Sequence, residues 1–191
     1  MTDKLYDGAV AFRQLEDIRY KFILGRKAQL TELYITFDLT HFHHLAGLHK
    51  LTDIWIATVS RKFIVQDILD NKITYNKIAT SNYISSIDDR INLLADFENI
   101  IDNNELVFRY GKLNKCSSID AEYLLSTPYF GNEVYIFLSC VKGKDYYCRS
   151  FFPKGSKDYT ERLPKYTLLY KEKIDMTTGT SVVQLNKLKK P

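Results

Sequence analysis

The chain contains few cysteines, and they form no recognisable motif. Cys116, Cys140 and Cys148 are three in number, and no two of them make a CxxC pair. This pattern indicates neither a disulfide framework nor a cysteine-rich zinc site. It fits a reducing compartment, and we expect a cytoplasmic protein.

Long apolar runs are also missing. No stretch approaches the roughly 20 residues that a membrane-spanning helix requires. Residues 1–10 mix Lys4 with Asp3 and Asp7 and have no continuous apolar segment, which is not the pattern of a secretory signal. We expect no membrane partner.

The motifs of several large enzyme classes are absent. The sequence has no Walker loop, no GxGxxG, no GxSxG and no kinase signature. These patterns supply phosphate-binding loops, dinucleotide sites and nucleophile elbows. The sequence therefore gives no support to ATP hydrolysis, Rossmann cofactors or α/β-hydrolase chemistry, and we expect no cofactor.

What the chain does have is an uneven distribution of charge. Residues 142–191 contain 12 Lys and Arg against 5 Asp and Glu, a net charge of +7, whereas residues 1–141 contain 15 against 18, a net charge of −3. In the basic part the cations alternate with tyrosines, which favours a nucleic acid over a membrane as the anionic partner. A solvated face on a mildly basic protein is the alternative interpretation.

Hydrophobic periodicity changes along the chain from helical to strand-like. The first part predicts a hairpin formed by residues 21–24 and 33–39, and helices over residues 3–20, 41–54, 61–71 and 86–101. After residue 104, short segments rich in aromatic and branched side chains predict five strands. These are residues 106–110, 121–126, 134–141, 146–152 and 166–174.

Helices followed by strands are typical of an α+β domain. We expect a single domain over residues 1–175, in which amino-terminal helices pack on one face of a carboxyl-terminal antiparallel sheet of four to five strands. Residues 176–191 are expected to form a flexible basic tail. No internal repeat or low-complexity linker divides the chain.

All four histidines, His41, His43, His44 and His49, lie within nine residues. If residues 41–54 form a helix with about 100° per residue, His44 lies in the apolar stripe and His43 points outward. His44 is then either a core histidine with satisfied hydrogen bonds or a group for proton transfer, since imidazole titrates near neutral pH.

A metal site is an alternative for the same segment. His41 and His44 are at positions i and i+3, where two imidazoles on one helix face can share an ion. A zinc site needs a third ligand and often a carboxylate base. The sequence contains no HExxH pattern and offers only Asp38 and Asp53 nearby.

Residues 133–152 allow a prediction of side-chain direction. If Gly143 and Lys144 form a two-residue hairpin loop, residue 142 faces residue 145 and the side chains alternate between two faces. The more apolar face is expected to pack on the helices: Val134, Ile136, Leu138, Cys140, Tyr147, Arg149 and Phe151. The other offers hydroxyls and rings that suit phosphates and bases: Tyr135, Phe137, Ser139, Val141, Tyr146, Cys148, Ser150 and Phe152.

Three segments resemble a nuclease family. Residues 42–48 (FHHLAGL) follow a predicted strand, residues 146–152 (YYCRSFF) form a later one, and residues 158–160 (DYT) come after it. Together they resemble the phage-associated branch of the barnase/EndoU/colicin/RelE-like nucleases, over residues 33–174. The resemblance implies a four-stranded sheet packed against helices and metal-independent cleavage of RNA on the open face of that sheet.

The resemblance also implies roles for individual residues. The family's histidine before Leu-x-Gly falls on His44, its strand serine on Ser150, and its following Tyr-Thr pair on Tyr159 and Thr160. His44 is then the base that takes the proton of a ribose 2′-hydroxyl, while Ser150 and Tyr159 orient the phosphate or protonate the leaving oxygen. The cation near the phosphate is Arg149 or one of the lysines Lys112, Lys115 and Lys171.

These inferences predict a metal-independent endoribonuclease that a phage or mobile element encodes as a toxin or effector. RNA is the expected substrate, and an antitoxin or immunity protein is a further candidate partner. The expected catalytic residues are His44, Ser150, Tyr159, Thr160 and Arg149, and the expected substrate-binding residues are Lys112, Lys115, Tyr135, Tyr146 and Lys171. The alternatives are a non-catalytic module that binds RNA or protein, and a metal-dependent hydrolase that uses His41 and His44.

Overall fold

The computed structural model describes residues 3–111 and 119–188. The helices of these ranges are α1 (Lys4–Gln14), α2 (Phe42–Leu45), α3 (Ile64–Leu69), α4 (Tyr75–Ile78), α5 (Asp88–Leu94) and α6 (Phe97–Asp102). The strands are β1 (Ile18–Arg26), β2 (Gln29–Thr36), β3 (Leu106–Arg109), β4 (Tyr123–Tyr129), β5 (Asn132–Lys142), β6 (Asp145–Pro153), β7 (Lys165–Asp175) and β8 (Ser181–Asn186). Within the described ranges, none of the helices combines the length and the apolar character that crossing a bilayer requires.

Seven of these strands form a closed barrel. β1 pairs antiparallel with β2 along one edge and with β7 along the other. β2 continues the ring through a parallel pairing with β6, and β5, β4 and β3 lead back to β7. β8 is an addition to this ring and pairs with residues 170–174 of β7.

The prediction of a sheet of four to five strands, with helices on one face, is therefore wrong. The predicted amino-terminal hairpin does form, as β1 and β2, but it lies between the two edges of the carboxyl-terminal strands. There it supplies hydrogen-bond partners to main-chain groups of β6 and β7 that an open sheet would leave unpaired. The barrel closes because segments from opposite ends of the chain pair with each other.

The helices and the inner side of the barrel share one core. α1 buries Leu5, Ala9 and Phe12, and the ring centroid of Phe12 lies 6.1 Å from that of Phe97 in α6. Phe97 makes an edge-to-face contact with Phe151 of β6, with ring centroids 4.8 Å apart. The helices are thus continuous with the barrel core, and they do not form a separate layer on a flat sheet.

Part of the segment expected to be a flexible tail forms β8. Gln184 of this strand donates to Asp102 Oδ1 at 2.8 Å, and the hydroxyl of Tyr20 donates to the same oxygen at 2.5 Å. Burial, together with this carboxylate, raises the pKa of Tyr20 well above its usual value. The shared acceptor connects β8 to β1 and to the end of α6.

Lys171 of β7 lies inside the core, with 2% of its surface exposed. Its ammonium group donates to the main-chain oxygens of Ile101, Asp102 and Asn104 at the carboxyl end of α6. Burial lowers the pKa of this amine to about 8. Because the last carbonyls of a helix have no partner within it and attract cations, Lys171 joins α6 to the barrel.

Replacing Lys171 with methionine tests this structural role. The Lys171→Met variant leaves buried carbonyl oxygens without their charged donor, and we expect the free energy of unfolding to fall by about 3 kcal/mol. Urea unfolding followed by circular dichroism measures the change. Lys165→Met, at an exposed position of the same strand, is the control, with an expected change below about 0.5 kcal/mol. Equal stability of the two variants would contradict this role.

Candidate active site

A cleft of about 660 Å³ opens between the segment after β2, the start of α5 and strand β6. Four of the predicted catalytic residues line it: His44, Arg149, Ser150 and Tyr159. A smaller hollow of about 200 Å³ also has His44 and Arg149 in its wall. The structure therefore brings residues that are distant in sequence into one site.

A β-bulge in β6 places Arg149 and Ser150 side by side at the cleft. Ser150 pairs with Phe137 and Cys148 pairs with Leu138, so Arg149 has no partner on β5. An extra residue of this kind bends a strand and changes the direction of its side chains. Arg149 and Ser150 both reach the cleft, whereas strict alternation would put them on opposite faces.

The bulge also corrects the predicted faces of the β5–β6 hairpin. From Val134 to Phe137 the pairing follows the predicted register, and from Leu138 to Cys140 it is shifted by one residue. A second irregularity restores the predicted register at the hairpin end, where Lys142 faces Asp145. A shift of one residue exchanges the two faces of a strand. Tyr146 and Cys148 consequently lie in the core, with 5% and 2% of their surface exposed, and the predicted exposure of these two residues is wrong.

The histidine segment is not one helix. α2 ends at Leu45, and Gly47 adopts a left-handed conformation with φ of 77°, which glycine reaches without strain. A 3₁₀ turn follows and brings His49 next to His44, with ring centroids 4.6 Å apart. The predicted helix over residues 41–54 is therefore wrong, and so is the outward direction predicted for His43, which is 3% exposed.

Gly47 has a second role, because Arg90 of α5 passes against it. A Cβ at Gly47 would lie 2.9 Å from Arg90 Cδ, which is closer than side chains pack. Arg90 lines the cleft although only 5% of its surface is exposed, and its guanidinium lies 5.5 Å from the ring centroid of Phe152. Burial lowers the pKa of Arg90 to about 10, so the group is still a cation at neutral pH.

Among the residues that the structure describes, those that line the cleft make it basic. It contains four cations, Lys50, Arg90, Arg149 and Lys157, and one carboxylate, Asp89. Within residues 3–111 and 119–188, neither Arg90 nor Arg149 has a carboxylate partner. Sequence reasoning missed Lys50 and Arg90 because they come from the part of the chain whose net charge is negative, and no local motif marks them.

The imidazoles at the cleft are held in the neutral form. Burial lowers the pKa of His43 and His44 from 6.5 to about 4, and the neighbouring His49 and Arg61 add to the effect. Burial lowers the pKa of His41 and His49 as well. A neutral imidazole has a lone pair that can accept a proton or bind a metal ion.

The histidines that lie closest together are not the pair predicted to share an ion. His43, His44 and His49 each have a ring nitrogen within 4.8 Å of the others. His41 lies outside this group and stacks on Tyr147, with ring centroids 4.3 Å apart. The break at Gly47 explains the difference. The prediction of one continuous helix put His41 beside His44, whereas the turn at Gly47 brings His49 beside His44 instead.

Asp158 anchors the loop that forms another wall of the cleft. Its carboxylate accepts hydrogen bonds from Lys154 at 2.8 Å, from the Tyr135 hydroxyl at 3.2 Å and from the Thr160 hydroxyl at 2.6 Å. The ammonium of Lys154 and the groups of Thr160 hold the pKa of Asp158 well below its usual value. Thr160 therefore stabilises the turn of the loop and does not itself line the cleft.

Tyr159 extends from this loop over the aromatic face of the barrel. Its ring centroid lies 5.4 Å from that of Phe137 and 5.5 Å from that of Phe152. Such edge-to-face contacts stabilise one orientation of the ring. They hold Tyr159 at the edge of the cleft beside Lys157, whose ammonium lies 4.6 Å from the ring centroid.

One family model covers nearly all of the chain. Its description is phage-Barnase-EndoU-ColicinE5/D-RelE like nuclease4, and it matches residues 4–188. The chain belongs to this phage nuclease family. The resemblance of the three sequence segments is thereby confirmed, and membership supports a nuclease activity. Comparison with the curated proteins and with the solved structures finds no match.

The nuclease does not bring every predicted site residue to the cleft. Tyr135 and Tyr146 are buried, and Lys171 lies in the core at the end of α6. None of these three lines the cleft. Lys112 and Lys115 lie outside the residues that the structure describes.

The lowered histidine pKa values predict how the stability of this nuclease depends on pH. Between about pH 4 and pH 6.5 the unfolded chain binds a proton at His43 that the folded protein does not bind. The free energy of unfolding therefore falls as the pH is lowered through this range. We expect a smaller fall for His43→Leu than for the wild type, as measured by urea unfolding at pH 7 and pH 4.5. Equal falls would show that His43 titrates normally in the folded state.

Proposed function

We propose that this protein is an endoribonuclease that cleaves RNA without a metal ion and uses a ribose 2′-hydroxyl as the nucleophile. The observation that carries the proposal is the meeting of His44, Arg149 and Ser150 in one basic cleft. Moving a phosphoryl group between two ribose oxygens needs a base and a group that stabilises negative charge. The cleft offers both.

His44 is the general base in this reaction. Its ring is neutral at pH 7 because burial and nearby cations lower its pKa. A bound phosphodiester compensates the charge of those cations and raises the pKa of His44 towards the neutral range, where a base is most effective. The imidazole takes the proton of the 2′-hydroxyl, and the 2′ oxygen forms a bond to the adjacent phosphorus.

The two arginines of the cleft, Arg90 and Arg149, stabilise the negative charge on the phosphorane. A guanidinium can donate to two phosphate oxygens at once, and neither arginine is engaged by a carboxylate within the described residues. The bond between phosphorus and the 5′ oxygen then breaks, and this oxygen takes a proton from the hydroxyl of Tyr159 or Ser150. The products are a 2′,3′-cyclic phosphate and a 5′-hydroxyl, and the proton held by His44 returns through water to the hydroxyl donor.

The proposal includes a biological role as a toxin or effector of a phage or mobile element. The description of the family, which names phage nucleases, supports this role. An antitoxin or immunity protein that covers the cleft with acidic side chains would neutralise the activity, because four cations line the described wall. Acidic groups at that position would compete with RNA phosphates for the same partners.

Incubating RNA with the protein in the presence of EDTA tests the proposed reaction. We expect fragments that end in a 2′,3′-cyclic phosphate, and no cleavage of DNA of the same sequence, because DNA lacks the attacking hydroxyl. His44→Gln is expected to lower the rate by about 10²- to 10⁴-fold, and Arg149→Met by about 10²- to 10³-fold. Arg13→Met, at an exposed position of α1, is the matched control and is expected to retain the wild-type rate.

Other results would select one of the alternatives. A full rate for His44→Gln would remove His44 from the reaction. RNA that binds to the wild type but is never cut would indicate a non-catalytic binding module. Cleavage that is lost on chelation and restored by zinc or manganese would indicate a metal-dependent hydrolase.

A further inference from the structure

His43 is a buried imidazole without a hydrogen-bond partner. It is 3% exposed, and neither Nδ1 nor Nε2 has a partner among the described residues. Burying such a polar group without a partner costs free energy, and most buried side-chain polar atoms in proteins are paired. The ring nitrogens of His43 therefore lack a partner that the neighbouring side chains do not provide, and a ligand could supply it.

Two further imidazoles lie next to His43. The ring centroid of His43 is 5.6 Å from that of His44 and 5.9 Å from that of His49. Nitrogen atoms of the three rings all lie within 4.8 Å of one another. Nδ1 of His49, like both nitrogens of His43, is buried without a hydrogen-bond partner. These three residues are called the histidine triad below.

We propose that the histidine triad is a binding site for a divalent transition metal ion of the zinc type. Three imidazoles are a recognised ligand set for zinc, with a fourth position left for water or substrate. Imidazole nitrogen suits zinc, copper and nickel, whereas magnesium and calcium select oxygen ligands. His44 and His49 line the cleft, so an ion held by the triad would lie at the wall of the space where RNA would bind.

Small side-chain movements are sufficient to complete the site. Zinc–nitrogen bonds of roughly 2.0–2.1 Å in a tetrahedron place ligand nitrogens about 3.4 Å apart. The nitrogens of the triad, at most 4.8 Å apart, thus need to approach by up to about 1.4 Å. His43 and His44 are adjacent in α2 and His49 follows the turn at Gly47, so the triad lies on a short and locally connected piece of chain.

The charges around the triad set the character of the site. Both ring nitrogens of His43 and Nδ1 of His49 have no hydrogen-bond partner among the described residues, so no neighbouring donor competes with an ion for their lone pairs. Arg61 lines the smaller hollow together with His44, so a positive charge lies near the triad. That charge weakens the binding of a bare cation and favours an ion whose fourth ligand is an anion, such as hydroxide or phosphate.

Metal binding has a consequence for the cleft that rests on the proposed function. A metal ion bound to His44 occupies the lone pair that would take the proton from the 2′-hydroxyl. Zinc at stoichiometric concentration would therefore inhibit RNA cleavage, and EDTA would restore it. In this way the same triad would link the nuclease activity to the availability of metal.

Direct metal binding tests the site independently of any activity. Chelator-treated protein is titrated with Co²⁺, and we expect one equivalent to give the visible absorption bands of a low-coordinate cobalt site, which Zn²⁺ then abolishes by displacement. His43→Gln and His49→Gln are expected to weaken Zn²⁺ binding at least tenfold in competition with a chromophoric chelator, since even the loss of second-shell partners costs about 10- to 100-fold. His41→Gln is the matched control and is expected to bind as the wild type does.

Two results would overturn the proposal. One is the absence of stoichiometric Co²⁺ and Zn²⁺ binding by the wild type. The other is wild-type affinity in His49→Gln, a variant at a half-buried position that the fold should tolerate. Cys140→Ser distinguishes binding by that thiol, and unchanged affinity in this variant supports the triad. Loss of RNA cleavage in the absence of metal would contradict the proposed function and leave the binding result unaffected.

Discussion

The parallel pairing of β2 with β6 is the constraint on which the rest of this structure depends. It joins Thr36 to Tyr147, and so it closes the barrel between the two halves of the chain. The same contact fixes the starting point of the segment that follows β2, and α2 begins only six residues after Thr36. That segment is short, and it holds His44 in the same cleft as Arg149 and Ser150 of β6. This pairing, together with that of β1 with β7, closes the barrel, and it also brings the segment after β2 to the cleft.

Around this contact the molecule concentrates groups that are costly to bury. His43 has no hydrogen-bond partner among the described residues, and burial lowers the pKa of Arg90. Lys171, which is also buried, is different, because main-chain carbonyl groups at and just after the carboxyl end of α6 accept its hydrogen bonds. Titratable groups with shifted pKa values, whose charge or hydrogen-bonding atoms no neighbour satisfies, tend to cluster at functional sites, where a ligand provides the missing partner. Lys171 therefore has a structural role, whereas Arg90 lines the cleft, where a ligand can reach it.

Sequence patterns predicted those features of the structure that depend on residues close together in the chain. Alternation of apolar residues correctly predicted the amino-terminal hairpin and the five later strands, although their bounds moved by a few residues. The three segments that resemble the nuclease family led to four of the residues that line the cleft. Helical spacing failed at Gly47, where a left-handed residue ends α2, and strict alternation failed at the bulge of β6. A single residue in each place reversed the direction of the side chains near it.

By itself, the sequence determined the family, most of the strands and the candidate residues His44, Arg149, Ser150 and Tyr159, because these depend on residue identity and short-range periodicity. Only the tertiary structure decided that the sheet closes, that Arg90 and Lys50 join the cleft, and that His43, His44 and His49 meet. These features depend on pairings such as that of Tyr34 with Asp145, between residues far apart in the chain. Short-range patterns contain no information on which distant edges meet, because that choice is made by the free energy of the whole folded chain.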